Sequence, residues 1–264
     1  MLSLAALGTI ADVVHLGGEN RILTSYGLKA VQDSQLVGIR ALIETAELNG
    51  GNVDSYDIGF RIAPMLNAAG RMGHARLAVE LLTCESEMRC FQIARYLKDQ
   101  NKLRQQCQRQ IFKEAREMVV QRGFHHPDRK TIVLASEDWH TGVVGIVASR
   151  LVDEFFRPAI LINMGDGESL GQGSARSIEG FNLYEAIRAC SEHLAGYGGH
   201  AMAAGLKVHP DHVEAFAEAL ETYAREHLRE DELTAGLDID AQCRIAELGE
   251  NTVRELALLE PFGQ

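Results

Sequence analysis

The sequence is poor in the features that would mark a secreted, membrane-bound or zinc-stapled protein. Its five cysteines, Cys84, Cys90, Cys107, Cys190 and Cys243, are odd in number and contain no C-x-x-C pair. That spacing argues against a disulfide framework or a structural zinc site and predicts free thiols. The one strongly apolar stretch, "MLSLAALGTIADVV", has no basic n-region and no cleavage site. It is also shorter than the ~20 apolar residues of a spanning helix, so no membrane association is expected and the cytoplasm is the default location. No internal repeat and no low-complexity segment occurs. Glycine and proline are both missing between Ser86 and Arg122. Nothing there would break a helix, and a single one on the order of 55 Å is expected at about 1.5 Å per residue.

What is present is an acidic chain with 46% hydrophobic and 24% charged residues over 264 positions, enough for two modest domains. A net charge of −11 argues against a general nucleic-acid coat. The distribution changes that conclusion, because eleven Lys and Arg face four Asp and Glu between Arg89 and Lys130, against four and fourteen between Asp211 and Glu260. A basic middle beside an acidic tail suits a protein that binds phosphates in one groove. Solvated faces of two charged helices would give the same count.

Hydrophobic spacing predicts two helices over residues 20–48 and another over Asp54 to Ala69, interrupted by Pro64. The long helix has apolar ends (Phe91, Ala94, Leu97; Ile111, Phe112, Ala115) and a polar waist, "KDQNKLRQQCQRQ". It is expected to bridge two lobes and to pack at both ends, with Phe91 and Phe112 buried in different lobes. Beyond a turn at "RGFHHPDRK" the pattern alternates. "TIVLAS", "PAILINM", the edge-like "SLGQGSAR" and "AMAAGLKV" read as strands; "GVVGIVASRLVDEFF", Asn182 to Leu194 and Asp211 to Leu228 read as helices. Strands alternating with helices predict an α/β domain with a central sheet. "LDIDAQCRI" begins something new.

Several motifs carry chemistry. In "GTIADVV", Asp12 follows a small-residue turn inside an apolar run, where an unpaired carboxylate is costly to bury. A metal, a helix N-terminus or a cation would compensate, and a cap or turn role is the plainer alternative. His15 lies nearby. "IGFRIAPMLNAAGRMGHARLA" sets Arg61, Asn67, Arg71 and His74 among small residues. The Arg71 fork suits phosphate, and a glycine-capped helix with surface arginines fits equally. Trp139, His140 and Thr141 precede a helix whose N-terminus could attract an anion, while Gly145 reads as close packing on a sheet. "GSARS" offers Ser174, Arg176 and Ser177 at a strand end, and "GYGGH" offers backbone N–H groups in a concave nest with His200. Together these two would form a phosphate cradle.

Taken in order, "GTIADVV", "IGFRIAPMLNAAGRMG", "WHTGVVGIVASRL", "GSARSIEGFNLYEAI", "GYGGHAMAAGL" and "LEPFGQ" resemble the RecJ family of single-strand-specific 5′ to 3′ exonucleases, in the DHH phosphoesterase superfamily. The resemblance covers essentially the whole chain, and the GGH motif marks a DHHA1-type domain. It implies an α/β protein of two lobes joined by the long helix: the end of a DHH domain (1–84), the linking helix (85–123), a DHHA1 domain (124–232) and the start of a connection to an OB-type domain (233–264). It also implies hydrolysis of single-stranded DNA in repair and recombination at a two-metal manganese or magnesium centre. By the same resemblance Asp12 is a metal ligand and catalytic residue, while Arg71, Ser174 and Arg176 contact the strand and its terminal phosphate. Gly198, Gly199 and His200 hold the phosphate next to the metals, His200 with a catalytic role. Single-strand binding protein and a helicase are the implied partners. The early D-x-D and D-H-H ligand motifs have no counterpart here, and "HHPD" is not one of them, so this chain alone is expected to be inactive. Two other readings stand beside it. One is a superfamily phosphodiesterase acting on short oligonucleotides or cyclic dinucleotides; the other is a non-catalytic single-strand binding module.

Overall fold

The computed structural model describes residues 1–48, 51–165, 170–234, 236–237 and 239–263, apart from the side chains of residues 230 and 231. The chain divides into two compact units, Met1–Arg104 with Asp238–Gln264, and Gln105–Leu237. The first is helical and the second is built on a sheet, as the α/β reading expects.

The first unit contains α1 (Leu2–Ala11), α2 (Gly18–Gln32), α3 (Val37–Thr45), α4 (Ser55–Asp57), α5 (Ala63–Arg71), α6 (Ala75–Thr83) and the opening half of α7 (Glu87–Gln121). α2 and α3 are the two helices expected over 20–48. The segment expected as one interrupted helix is α4, a π-helical stretch at Ile58–Ile62, and α5. Pro64 sits in the first turn of α5, where a missing N–H costs nothing, so the irregularity falls in the π stretch before it. The start is held by a capping box in which Asp57 N–H donates to Asp54 Oδ1 at 2.8 Å. Hydrophobic spacing names neither α1 nor α6: α1 is apolar on nearly every side and shows little periodicity, and α6 is only nine residues long. Leu7, Val31, Ile39, Leu42, Ile62 and Leu97 meet in one core. The last helix, α11 (Glu250–Ala257), also belongs to this unit. Past its end Arg21 donates to the carbonyls of Leu259, Glu260 and Pro261 and so holds the segment that follows the helix.

Along α7 no residue is buried between Leu97 and Ile111, so the polar waist is a waist in the structure too. Phe91 packs on the helical core and Phe112 on a core of the second unit. Both are half-buried at the margin of those cores, short of the full burial expected.

The second unit runs β1 (Ile132–Ser136), α8 (Thr141–Phe155), β2 (Ala159–Asn163), β3 (Gly171–Arg176), α9 (Leu183–Ala189), β4 (Leu194–Gly199), β5 (Ala203–Val208) and α10 (Val213–His227). Its sheet has the order β1-β2-β3-β5-β4, parallel between β1 and β2 and antiparallel elsewhere. On one face Ile160, Ile162, Ala175 and Leu206 pack with α9 and α10; on the other Leu134 and Leu161 pack with α8 and the end of α7. Three expectations change. β3 is interior, not an edge, because β5 and β4 extend the sheet past it; Ser169, the first residue of the expected strand, lies outside the described residues. "GYGG", expected in a nest-forming loop, is strand β4: glycine is a poor strand former, but pairing with β5 satisfies the backbone. The helix expected to reach Leu194 stops at Ala189, since a 3₁₀ turn at Ser191–His193 delivers Leu194 into β4.

Glu221 on α10 is 4% exposed and joins that helix to the start of β1. It accepts from Lys130 N–H, Thr131 N–H and Thr131 Oγ1 at 2.7–3.2 Å, and from Arg225 Nε at 3.0 Å. Removing the carboxylate strands buried donors. Glu221→Ala is therefore expected to lower the stability of this unit by about 3 kcal/mol, and Glu221→Gln by less. Urea unfolding followed by the fluorescence of Trp139, the single tryptophan, reads this directly.

The five cysteines are unpaired, as expected. Burial disfavours the charged thiolate and pushes the Cys90 and Cys190 thiols up to about 11. Both groups are thus protonated throughout the neutral range, and maleimide at pH 7 should label exposed Cys243 first and Cys90 and Cys190 only on unfolding. Mass spectrometry of timed samples checks the order.

Candidate nucleic-acid interface

Strands β3, β5 and β4 bring the two small-residue motifs side by side. Ser174 lies opposite Gly205 and Arg176 opposite Ala203; on the other side of β5, Gly198 lies opposite Gly205 and Gly199 opposite Ala204. His200 N–H donates to Ala203 O at 2.8 Å, so the backbone of His200 stands in the same row as Arg176, with β5 between them. Gly198, Gly199 and His200 are exposed, and Ser174 and Arg176 are half-buried. β4 is an edge strand, so it presents alternate free backbone groups outward along a line and not a closed nest. Leu183, Ala186 and Ile187 of α9 are buried against the opposite face and back the arrangement.

Two glycines make the geometry attainable. At Gly145 on α8, an added Cβ would stand 2.7 Å from Ser174 Oγ and 3.0 Å from Arg176 Nη2. The expected close packing of this helix on the sheet is thus also what supports both side chains. Arg176 is aimed further by its own donations from Nη1 to Ser174 Oγ (3.0 Å) and Ala175 O (2.8 Å). Gly199 has φ +149° with Ala203 O only 2.5 Å from a hypothetical Cβ, so the turn into His200 admits glycine alone. His140, a candidate for the site by sequence, is the N-cap of α8, its Nδ1 accepting from Gly142 N–H at 3.1 Å. Trp139 is buried and donates to Glu114 at 3.1 Å. Both have structural work to do.

Asp12 and Arg71 belong to the first unit. Asp12 is exposed at the C-cap of α1, which corrects the reading of a carboxylate buried in an apolar run: the run ends with the helix and the chain turns out to solvent. A carboxylate at the negative end of a helix is unfavourable by ~0.3–1 kcal/mol unless a cation offsets it. The next residue, β-branched Val13, has φ +57°, a conformation costing on the order of 1–3 kcal/mol. Fold stability gains nothing from either feature. Arg71 ends α5, ahead of Gly73 at φ +90°, so "AAGRMG" does close a helix with glycine. Burial, and then the like charge of Arg71, hold the Arg104 guanidinium below its ordinary pKa. Two neighbouring guanidiniums make this an electropositive point favourable to an anion. Arg61 is committed to Ala46 O, Glu47 O and Asp57.

A two-ion metal centre does not fit these residues. Among the described residues no three His, Cys, Asp or Glu side chains gather as ligands. The cavity of about 800 Å³ lined by Ala11 and Val13, the neighbours of Asp12, and by Val14, Tyr56, Phe60 and Phe262 offers mostly apolar surface, and the Asp33, Asp54 and Glu260 that also line it do not gather into a ligand set. Asp12 alone supplies one ligand of the several required. No described helix is long and apolar enough to cross a membrane.

Comparison with known proteins gives this geometry a context. Residues 128–226 match the DHHA1 domain family. The single-stranded-DNA-specific exonuclease RecJ of Bacillus subtilis is 38% identical over 263 residues, covering all of this chain and 33% of the relative. Its counterpart in Haemophilus influenzae is 35% identical over 270 residues, covering all of this chain and 47% of the relative. The crystal structure of RecJ in complex with Mg²⁺ from Thermus thermophilus superposes with a TM-score of 0.87 at 34% identity, over 99% of this chain and 40% of that one. A second, in complex with Mn²⁺, gives 0.86. The chain therefore spans between a third and a half of the length of the curated relatives it matches. Residues 128–226 thus resemble a DHHA1 domain, and the chain as a whole is similar to a portion of the RecJ single-stranded-DNA-specific exonucleases.

Proposed function

We propose that this chain is the strand-holding portion of a RecJ-like exonuclease that hydrolyses phosphodiester bonds of single-stranded DNA from the 5′ end, in repair and recombination in the cytoplasm. The observation that carries this reading is the row formed by Ser174 and Arg176 on β3 and His200 beyond β4, joined through β5. Fixed donors on a rigid sheet, beside glycines that let a backbone approach, suit capture of a terminal phosphate before cleavage. Arg176 and Ser174 bind that phosphate, the backbone of Gly198 and Gly199 lies against the strand, and His200 faces the phosphate to be cleaved. Arg71 contacts the strand from the first unit. Asp12 is one ligand of a divalent manganese or magnesium site whose other ligands lie in the longer protein. Single-strand binding protein and a helicase are the partners that such an activity calls for.

Activity and binding assays test this. The isolated chain is expected to release no nucleotides from single-stranded DNA with manganese present, whereas in the longer protein Asp12→Ala abolishes release; activity within tenfold of wild type would remove Asp12 from the site. Arg176→Ala should weaken binding of a 5′-phosphorylated oligonucleotide about 10- to 100-fold, the size of a lost charge-assisted contact, and that of a 5′-hydroxyl one far less. Equal losses in a titration of both would exclude the terminal-phosphate role. Gly145→Ala, touching no DNA, should reproduce part of the Arg176→Ala loss by displacing Ser174 and Arg176, while His200→Ala should chiefly lower turnover in the longer protein.

A further inference from the structure

The sheet face that carries Ser174 and Arg176 continues past them. Along β5, Ala204, Leu206 and Val208 point into the core shared with α9 and α10, which leaves Ala203, Gly205 and Lys207 on the opposite face, with Ser174 and Arg176. Lys207 lies opposite Gln172 and one row beyond Gly205, which lies opposite Ser174. It is therefore the diagonal neighbour of Ser174 on an antiparallel pair, a separation of about 7–8 Å that a long side chain spans. The space between them is open: a Cβ on Gly205 would meet only Gly173 O at 3.8 Å, and one on Gly196 or Gly198 would meet nothing within 4 Å. A cavity of about 520 Å³ adjoins this gap on the Lys207 side, lined among others by Gln172, Gly196, Gly205 and Lys207 but not by Ser174 or Arg176.

The charges are one-sided. β3, β4 and β5 contain no Asp or Glu, in a chain with 37 of them. Lys207 is exposed, and among the described residues its ammonium has no hydrogen bond or ion pair. Lysine is disfavoured in an interior strand, and nothing in the fold repays its presence in β5. A phosphate monoester carries about −1.5 to −2 near neutral pH, whereas an internucleotide diester carries a single charge. Arg176 balances one of those charges.

We propose that Lys207 supplies the second cation of the Ser174–Arg176 cradle and so makes it selective for a terminal phosphate monoester over an internal diester. The assignment rests on the exonuclease reading and names which end of a strand this face prefers. Gly205 is the gap through which the ammonium reaches the phosphate, and the compact charge of lysine adds attraction without the fixed fork geometry already provided by Arg176.

The test uses the 264-residue chain and a 3′-labelled oligothymidylate with either a 5′-phosphate or a 5′-hydroxyl, followed by fluorescence anisotropy at low salt. The wild type is expected to prefer the phosphorylated end. Lys207→Gln should reduce that preference about tenfold, as for one hydrogen bond to a charged group, leave the hydroxyl end within about twofold, and be rescued by Lys207→Arg. A preference kept in Lys207→Gln but lost in Arg176→Ala overturns the Lys207 assignment alone. Equal weakening at both ends also overturns it, since it marks a general strand contact. A wild type that binds neither end overturns the exonuclease reading and this assignment together.

Discussion

The register in which β5 joins β3 to β4 is the constraint on which the candidate interface depends. Because side chains alternate along a strand, a slip of one residue would either send Ser174 and Arg176 of β3 into the α9 and α10 core or turn Leu206 of β5 outward. The buried set Ala175, Ala204, Leu206 and Val208 opposes such a slip. Hydrophobic burial on one face thus holds the polar row on the other. The chemistry needs no separate scaffold.

Around that register the structure accepts local costs where the proposed function needs them. The backbone at Gly199 and the close approach of α8 at Gly145 each exclude a side chain, and each brings residues of the candidate interface to their place. In the first unit, Asp12 at the negative end of α1 and Val13 at positive φ are unfavourable for a helical bundle taken alone. Compensation comes from ordinary packing elsewhere, such as the core around Ile39, Leu42 and Ile62. Glu221 is the opposite case, a buried carboxylate fully engaged with the backbone at Lys130 and Thr131 and serving only the fold. Charge alone would not separate Glu221 from Asp12; burial and hydrogen-bond partners do.

Much of this was legible in the sequence, and the particular residues say why. The absence of glycine and proline from Ser86 to Arg122 leaves a long helix as the only simple outcome, and the switch to alternating apolar segments after residue 130 predicts the sheet unit. Those are local signals, carried by periodicity and by backbone freedom. The motifs "GSARS" and "GYGGH" likewise marked positions where backbone is approached closely.

Tertiary structure decided what those signals become. "GYGGH" is glycine-rich enough to read as a loop, and only the pairing partner offered by β5 makes most of it a strand; on its other side β5 pairs with β3 and turns it from an edge into an interior strand. α1 is hidden from periodicity because it is apolar nearly all round, and Lys207 because a lone lysine in "AAGLKV" carries no local signal at all. Its place beside Ser174 is set by a ladder between segments some thirty residues apart. Sequence by itself therefore determined the elements whose cause is local, namely helix continuity, strand alternation and backbone permissiveness. Which side chains share a face was left to the fold, because cross-strand register is a property of the partner as much as of the strand.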